Sequence, residues 1–250
     1  MKIGIMGFGK AGRAVTSTMF ETEDVVLQWV VRRSRVLEHR SVPEFLGIPY
    51  DDQPGRIYSK DEYAADALFD KLPVDVIVDF SSETGLDYYG ETAANKGVTI
   101  ISAVSEYPPA QMAKLKELAK KTVVMYSPNI TVGINFLIIA AKILKKIAPY
   151  TDIEIIEEHF KTKRGISGTA KVIAKELDIR TKEIKTVRAG GIIGIHEIIF
   201  GFPYQTVRLK HESITREAFG NGILFAIKNL KEKKKGFYTM EKLLEPYFKL

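Results

Sequence analysis

The sequence predicts an α/β fold, in which a parallel sheet covered by helices on both faces is followed by a smaller α+β domain with an open mixed sheet. Through the first half of the chain, short continuous apolar runs alternate with helix-like segments, a pattern typical of strands buried on both faces. After residue 129, apolar residues alternate with polar ones, which indicates strands with one exposed face. Gly190-Gly191 and Phe202-Pro203 mark breaks between these later strands.

The elements of the first half follow from this alternation. Residues 33–73 are the exception, because they are charged and interrupted by prolines, and only a helix around 61–69 is predicted there. The predicted strands span 2–6, 24–31, 74–80, 98–102 and 122–126, and the predicted helices span 12–20, 84–96 and 109–120.

The second half begins after residues 127–129, the clearest boundary in the chain. A long amphipathic helix is predicted over 133–148, and the strands that follow favour a largely antiparallel sheet in a second domain. The predicted strands span 151–159, 184–190, 194–200 and 206–214, and the predicted helices span 169–177 and 217–230.

Composition narrows the classes of function. The 250 residues carry a formal net charge of +6 and no cysteine, which excludes disulfides and thiolate chemistry. Much of the charge lies in a lysine-rich helical stretch at 231–235, so we expect a small anionic ligand and no nucleic acid. The longest apolar run, 136–141, is too short to span a bilayer, and the N-terminus does not resemble a secretion signal. A cytoplasmic protein without membrane association is therefore expected.

The segment GFGKAG follows the first predicted strand and opens the first predicted helix. In this position G-x-G-x-x-G allows a tight turn, and the helix N-terminus offers amide donors to a pyrophosphate. A Rossmann-type dinucleotide site is predicted here, and the alternative is a merely structural turn. The predicted binding residues are Gly7, Phe8, Gly9, Lys10, Ala11 and Gly12.

The end of the second predicted strand bears on cofactor preference. An NAD site usually carries an acidic residue there for the ribose hydroxyls, whereas this chain has Arg32 and Arg33. Guanidinium groups suit a 2′-phosphate, so NADPH is predicted, with NADH possible. The alternative is that these arginines belong to a solvated loop.

The stretch from Glu157 to residue 172 combines a histidine, several cations and a Ser-Gly-Thr turn before a predicted helix. Amides at a helix start can hold a carboxylate, and a histidine can deliver a proton. This combination suits the reduction of an anionic unsaturated substrate. The alternative is an ordinary helix cap beside solvated charges. The cations are Lys161, Lys163 and Arg164.

Several motifs together resemble the dihydrodipicolinate reductase family of lysine and diaminopimelate biosynthesis. The family signature E-x-H-H-x-x-K-x-D-A-P-S-G-T-A is similar to Glu157, His159, Lys163 and the Ser-Gly-Thr-Ala run at 167–170. Further similar segments are VDF at 78–80, N-x-[ST]-V-G-x-N at 129–135, TDIEIIE at 151–157, RAGGIIGIH at 188–196, and the residues His211 and Arg216.

The resemblance implies NAD(P)H-dependent reduction of 4-hydroxy-tetrahydrodipicolinate, a dicarboxylate, by a homotetramer. It implies a dinucleotide domain of residues 1–129 and 217–250, and a substrate and oligomerisation domain of residues 130–216. His159 would be the general acid with Lys163 as its cationic partner, and no metal is expected. The residues that would bind substrate are Ser167, Gly168 and Thr169. The resemblance adds Phe80, Ser102, Ala103 and Asn129 to the cofactor site.

The chain departs from the family pattern around the substrate. Phe160 replaces the second histidine of the signature, the Asp-Ala-Pro segment is a loop one residue shorter at 164–166, and residues 102–105 replace Gly-Thr-Thr-Gly. Two alternatives therefore stand beside the family reaction: a reductase of another cyclic imine or unsaturated carboxylate, and a non-catalytic dinucleotide-binding sensor. His196 and His211 are interpreted as structural or interface residues rather than catalytic ones, and Trp29 as core.

Overall fold

The computed structural model describes residues 1–49 and 55–248. Within these residues the chain forms two compact units, one made of residues 1–130 and 219–248 and the other of residues 131–218. Pro54, one of the prolines in the unassigned segment, and the last two residues of the expected first domain lie outside the described residues.

The first unit is built on a parallel sheet with helices between its strands. Strands β1 to β6 and β11 span Lys2–Met6, Val26–Arg32, Arg56–Ser59, Val76–Asp79, Thr99–Ser102, Val123–Tyr126 and Gly236–Tyr238. Helices α1 to α5, α8 and α9 span Lys10–Met19, Val42–Leu46, Ala65–Lys71, Gly85–Asn95, Pro109–Leu118, Ala218–Leu230 and Met240–Leu244, and a 3₁₀ turn spans Glu245–Phe248. Among the described residues, the strand order is β11-β6-β5-β4-β1-β2-β3.

The order reverses between β1 and β4, the place where open α/β sheets of this kind bind ligands at the carboxyl ends of their strands. The central strands are buried on both faces: all four residues of β4 are buried, as are four of the five in β1. Trp29 is fully buried and lies over Gly4, where a Cβ would come within 2.4 Å of the indole ring. The predicted core position of Trp29 and the α/β fold class are confirmed.

The segment 33–73 contains more structure than its sequence indicates. Helix α2 is capped by the Ser41 hydroxyl and ended by Gly47 in the left-handed region, and β3 pairs in parallel with β2. The predicted helix around 61–69 begins later, at Ala65, because residues 60–63 form a turn after β3. A four-residue edge strand carries too little periodicity to be recognised from sequence.

The C-terminal part completes the first unit. Helix α8 packs closely on α1, since a Cβ on Gly220 would lie 1.8 Å from the Thr18 hydroxyl oxygen. Strand β11 then extends the sheet in parallel beside β6, an addition that the sequence did not predict.

The second unit is a sheet with helices packed on one face. It comprises α6 at Val132–Ile147, β7 at Asp152–His159, α7 at Gly168–Glu176, a 3₁₀ turn at Thr181–Glu183, β8 at Lys185–Arg188, β9 at Gly194–Gly201 and β10 at Thr206–Ser213. In the described residues the order is β10-β9-β7-β8, with β7 and β8 parallel and the other pairs antiparallel. The open mixed sheet is therefore confirmed.

The core of the second unit follows the alternation of its strands. Ile155 in β7 and Ile198 and Phe200 in β9 pack with residues of α6 and α7. The residues that alternate with them along these strands therefore point to the other face of the sheet. The predicted strand at 184–190 ends earlier, at Arg188, because Gly190 turns the chain with φ at +45°. Among the described residues, no helix is both long enough and apolar enough to cross a bilayer.

Candidate functional site

The glycine turn of the first unit has the geometry that a bound pyrophosphate requires. Gly7 has φ at +93°, and a Cβ on it would lie 2.7 Å from the Phe80 carbonyl oxygen. A Cβ on Gly12 would lie 2.2 Å from the Gly7 carbonyl oxygen, whereas a Cβ on Gly9 would meet no protein atom within 4 Å. The first and third glycines are thus required by the protein itself, and the second leaves open space for a ligand to approach the backbone.

The start of α1 adds favourable electrostatics to this turn. Its N-cap residue Gly9 makes no side-chain cap, and its first turn contains no acidic residue. Unpaired amides at a helix N-terminus attract anions. Lys10, Ala11 and Gly12 form this first turn, so the geometry of 7–12 fits a dinucleotide phosphate.

A cleft of about 940 Å³ runs along the carboxyl ends of β1, β2 and β4. Six of the predicted cofactor residues line it: Gly7, Phe8, Gly9, Arg32, Arg33 and Phe80. A slightly larger cleft of about 990 Å³ lies at the opposite edge, near Met1, Val98 and Lys228. We assign the dinucleotide to the first cleft, because parallel α/β units present helix N-termini at that edge and helix carbonyls at the other.

Besides Arg32 and Arg33, three charged residues line the assigned cleft: Lys60 and Asp61 near the ends of β2 and β3, and Asp87 in α4. Lys60 follows β3, and its backbone N–H donates to the Arg32 carbonyl at 2.9 Å. Asp61 also lines the cleft, so the cleft edge at the end of β2 and β3 holds three cations and one anion. Lys60 was missed by sequence reasoning because its signal depends on β3, which the sequence did not reveal.

Six residues predicted at the cofactor site lie outside the lining of this cleft: Lys10, Ala11 and Gly12 in the first turn of α1, and Ser102, Ala103 and Asn129. Ser102 is fully buried at the end of β5, where its hydroxyl hydrogen-bonds the Tyr107 hydroxyl at 2.9 Å. Ala103 is buried, and its N–H donates to the Asp79 carbonyl at 2.9 Å. The Asn129 carbonyl accepts a hydrogen bond from the Ser127 hydroxyl at 2.6 Å. Their contact with a cofactor stays a prediction.

A buried carboxyl group organises the loop after β4. Asp79 is fully buried and accepts hydrogen bonds from the Ser81 amide at 2.8 Å, the Ser81 hydroxyl at 2.6 Å and the Tyr89 hydroxyl at 2.8 Å. Burial raises the pKa of Asp79, while these hydrogen bonds act in the opposite direction. Because Ser81 lines the cleft beside Phe80, its hydrogen bonds to Asp79 hold part of the cleft wall in place.

In the second unit, the turn at 167–170 begins helix α7. Ser167 is its N-cap, and the Ser167 hydroxyl accepts the Ala170 N–H at 3.0 Å. The Ser167 hydroxyl also contacts Nε2 of His196 at 3.1 Å, and the Ser167 N–H donates to Glu157 Oε2 at 3.0 Å. Ser167 therefore fastens the helix start to β7 and β9. Gly168 is exposed, with open space at its Cβ position, and Thr169 follows it in the same first turn.

His159 ends β7 on the face that carries Glu157. Its side chain is 8% exposed, and its Nδ1 lies 3.5 Å from Glu157 Oε2. Burial lowers the pKa of His159, the charge of Glu157 opposes this, and Lys163 and Arg188 add to the lowering. On β9, burial lowers the pKa of His196 to about 4, so this second imidazole is neutral near pH 7.

The loop between β7 and α7 is held by Arg188. The guanidinium donates to the Lys163 carbonyl at 3.2 Å, to the Gly165 carbonyl at 2.6 Å and to Glu157 Oε1 at 2.5 Å. Lys163 is half-buried in this loop. The structure thus brings His159, Lys163 and the start of α7 together around one ion pair, in which the carboxylate is buried and the guanidinium half-buried.

Sequence reasoning assigned no role to Glu157 or Arg188, although both lie in the motifs that carry the family resemblance. The two residues are 31 positions apart, and only the register of β7 against β8 brings them together. Glu157, His159 and His196 also place one ligand atom each within 4.8 Å of one another. Because Ser167 and Arg188 engage both oxygens of Glu157, the geometry favours a hydrogen-bonded cluster over a metal site.

Comparisons with known proteins agree with both halves of this geometry. Residues 1–130 match the family described as "Dihydrodipicolinate reductase, N-terminus", and residues 129–244 match "Dihydrodipicolinate reductase, C-terminus". The 4-hydroxy-tetrahydrodipicolinate reductase of Caldanaerobacter subterraneus subsp. tengcongensis is 31% identical over 197 residues, covering 70% of this chain and 78% of the relative. The enzyme of the same name from Rickettsia bellii is 34% identical over 184 residues, covering 66% of this chain and 74% of the relative.

A solved structure agrees at the level of the fold. The dipicolinate-bound dihydrodipicolinate reductase of Paenisporosarcina sp. TG-14 superposes with a TM-score of 0.78 at 22% identity, covering 97% of this chain and 98% of that one. With the glycine turn, the two sheets and both family matches in agreement, the chain belongs to the dihydrodipicolinate reductase family of nicotinamide-dinucleotide-dependent oxidoreductases.

Proposed function

We propose that this protein reduces 4-hydroxy-tetrahydrodipicolinate to tetrahydrodipicolinate in lysine and diaminopimelate biosynthesis. The observation that carries the proposal is the tie between the start of α7 and the strand that bears His159, made by the Ser167 N–H and Glu157 at 3.0 Å. It holds a candidate proton donor beside a candidate carboxylate site in one rigid arrangement. Glu157, His159, Lys163 and the Ser-Gly-Thr-Ala run at 167–170 follow the order of the family signature.

The residues of the second unit match the requirements of this reaction. The amides of Gly168 and Thr169, at the N-terminus of a nine-residue helix, would receive one substrate carboxylate. The Lys163 ammonium would balance the remaining negative charge. When bound, a dinucleotide would supply a hydride to one carbon of the unsaturated ring that forms once water has left the hydroxy substrate. His159 would provide the proton that the neighbouring carbon takes up.

The cofactor we propose is NADPH. Arg32, Arg33 and Lys60 give the end of the cleft an excess of positive charge over Asp61, which suits a 2′-phosphate better than a bare ribose. Substituting Arg33, which is exposed, by glutamine should raise KM for NADPH and leave KM for NADH nearly unchanged. A wild-type protein that prefers NADH would contradict the assignment.

We also propose that the protein is a cytoplasmic homotetramer. The sheet face opposite α6 and α7 presents Ile156, Val187 and Ile199, with Val187 43% exposed. A second copy of the chain would cover these side chains. Sedimentation of the wild type and of Ile199→Lys tests this: a wild-type monomer would contradict the proposal.

The activity is tested by NADPH consumption with freshly made product of dihydrodipicolinate synthase. We expect rapid turnover in the wild type and a loss of about 10²–10⁴-fold in His159→Ala, the usual contribution of a positioned general acid. His39→Ala is the matched control, because His39 is an exposed histidine of the first unit. Equal rates in His159→Ala and the control would remove His159 from this role.

Phe160 favours a second candidate, a reductase of another cyclic imine. It stands where the family signature has a histidine, so a side chain that can donate a hydrogen bond is replaced by an apolar one. Turnover of a panel of cyclic imino acids, with no turnover of the family substrate, would support this alternative. Tight NADPH binding without turnover of any of them would instead indicate a non-catalytic sensor.

A further inference from the structure

The buried carboxylate of Glu157 is fully engaged within the second unit. Its side chain has no solvent exposure. Oε2 accepts the Ser167 N–H at 3.0 Å and lies 3.5 Å from Nδ1 of His159, and Oε1 accepts Nη2 of Arg188 at 2.5 Å. An ionised carboxylate in such a place must be compensated by partners. Each of these partners belongs to a different part of the candidate site.

Arg188 extends this arrangement to the loop that carries Lys163. It pairs with His159 in the register of β7 and β8, and its guanidinium also donates to the carbonyls of Lys163 and Gly165. The fork shape of guanidinium allows several acceptors to be held at fixed angles. One side chain therefore sets the positions of the loop and of the carboxylate behind His159.

The charges around His159 act in opposite directions. Burial raises the pKa of Glu157, but the hydrogen bonds from Ser167 and Arg188 outweigh it and hold the pKa below its usual value. Glu157 is the anion that favours protonated His159, whereas Lys163 on the loop and Arg188 on β8 disfavour it. From β9, His196 faces the same ring at a centroid distance of 5.3 Å, and His211 on β10 lies across from His196.

We propose that Glu157 and Arg188 are a pair of positioning residues for the reduction. Glu157 places its charge 3.5 Å from Nδ1 of His159, without a hydrogen bond to it, and so supports the protonated imidazole. Arg188 holds the loop so that Lys163 and the start of α7 keep their spacing. This proposal rests on the proposed function for its kinetic consequences, while the effect on His159 is a property of the protein without ligand.

The first test is a proton titration of the four histidines by NMR in the ligand-free, full-length protein. Glu157→Gln keeps the shape of the side chain and removes its charge, so His159 should titrate at lower pH than in the wild type. Glu158→Gln is the matched control, because its side chain alternates to the other face of β7. An unchanged His159 titration in folded Glu157→Gln would overturn the proposal, even if the protein reduces its substrate.

The second test separates kcat from KM. In Glu157→Gln, kcat/KM above the His159 pKa should fall about tenfold for each unit by which that pKa is lowered. Arg188→Lys keeps the cation but cannot reach all three acceptors, so KM for the dicarboxylate should rise about tenfold or more with little change in the His159 titration. A lower kcat with an unchanged KM in Arg188→Lys would contradict the positioning role of Arg188.

A variant that lacks both charges distinguishes a loss of folding from a loss of positioning. Glu157→Gln with Arg188→Met leaves no unpaired buried ion, so its melting temperature should recover relative to Arg188→Met alone. KM should stay elevated in this double variant, because the loop has lost its donor. Recovery of both stability and KM would reduce the pair to a structural role and overturn the proposal.

Discussion

Replacing Gly9 with alanine should separate dinucleotide binding from folding. Gly9 has φ at −79° and ψ at −166°, extended backbone angles that alanine adopts without strain. A Cβ there would meet no protein atom within 4 Å. Because alanine also restricts the unfolded chain, the variant should be as stable as the wild type, or more stable by about 0.4–1 kcal/mol.

The same methyl group would occupy the space through which a pyrophosphate approaches the turn. Moving the phosphate outward would break or lengthen at least one hydrogen bond from a backbone amide to a charged oxygen. Such a bond contributes about 1.5–3 kcal/mol, so the Kd for NADPH should rise by about 10–10²-fold. The effect on binding is therefore opposite in direction to the effect on folding.

Gly12→Ala is the matched comparison. Its Cβ would lie 2.2 Å from the Gly7 carbonyl oxygen, so the turn must move by about 1 Å to reach an ordinary contact distance. This variant should lose both stability and affinity.

The assays are NADPH titration by calorimetry and urea unfolding of the three proteins. Wild-type affinity in Gly9→Ala would refute the placement of the pyrophosphate at this turn. Marked destabilisation of Gly9→Ala would show that a Cβ at residue 9 does not fit beside the protein atoms.

The remaining predictions concern packing, capping and pH. Gly220→Ala should destabilise the protein by about 1–3 kcal/mol in urea unfolding, because its Cβ would overlap the Thr18 hydroxyl; Thr18→Ala in the same chain should recover part of the loss, and additive losses would contradict the contact. Ser167→Ala should cost about 1 kcal/mol through the lost cap and raise KM for the dicarboxylate. Since His159 acts in its protonated form and burial lowers its pKa, kcat/KM should fall as pH rises through that pKa. The fall in kcat should come at higher pH, because a bound dianion favours the imidazolium; a flat profile of kcat/KM between pH 5 and 8 would argue against His159 as the acid.

The glycine turn and the stretch around His159 could be located from sequence because their signals are local. G-x-G-x-x-G is six consecutive residues, in which the backbone requires glycine at Gly7 and Gly12 and Gly9 leaves space for a ligand. The cap of α7 joins Ser167 to Ala170, three residues on. Continuous apolar runs likewise predicted β1, β4, β5 and β6, since burial on both faces removes the need for polar alternation.

The short edge elements could not be located in this way. Strands β3 and β11, with the sequences RIYS and GFY, lack the continuous apolar run that revealed the equally short β4 and β6. They are strands because a neighbouring strand supplies their hydrogen bonds. Lys60, whose position depends on β3, was missed for the same reason.

The sequence by itself determined the α/β alternation, the starts of α1 and α7, and the residue types available for hydride and proton transfer, because each of these depends on neighbours within a few residues. Only the tertiary structure decided that Arg188 pairs with Glu157, that this pair lies behind His159, and that His196 is neutral. Ion pairing and protonation depend on distances between residues remote in the chain and on their removal from water. Neither quantity exists until the strands of the second unit are assembled.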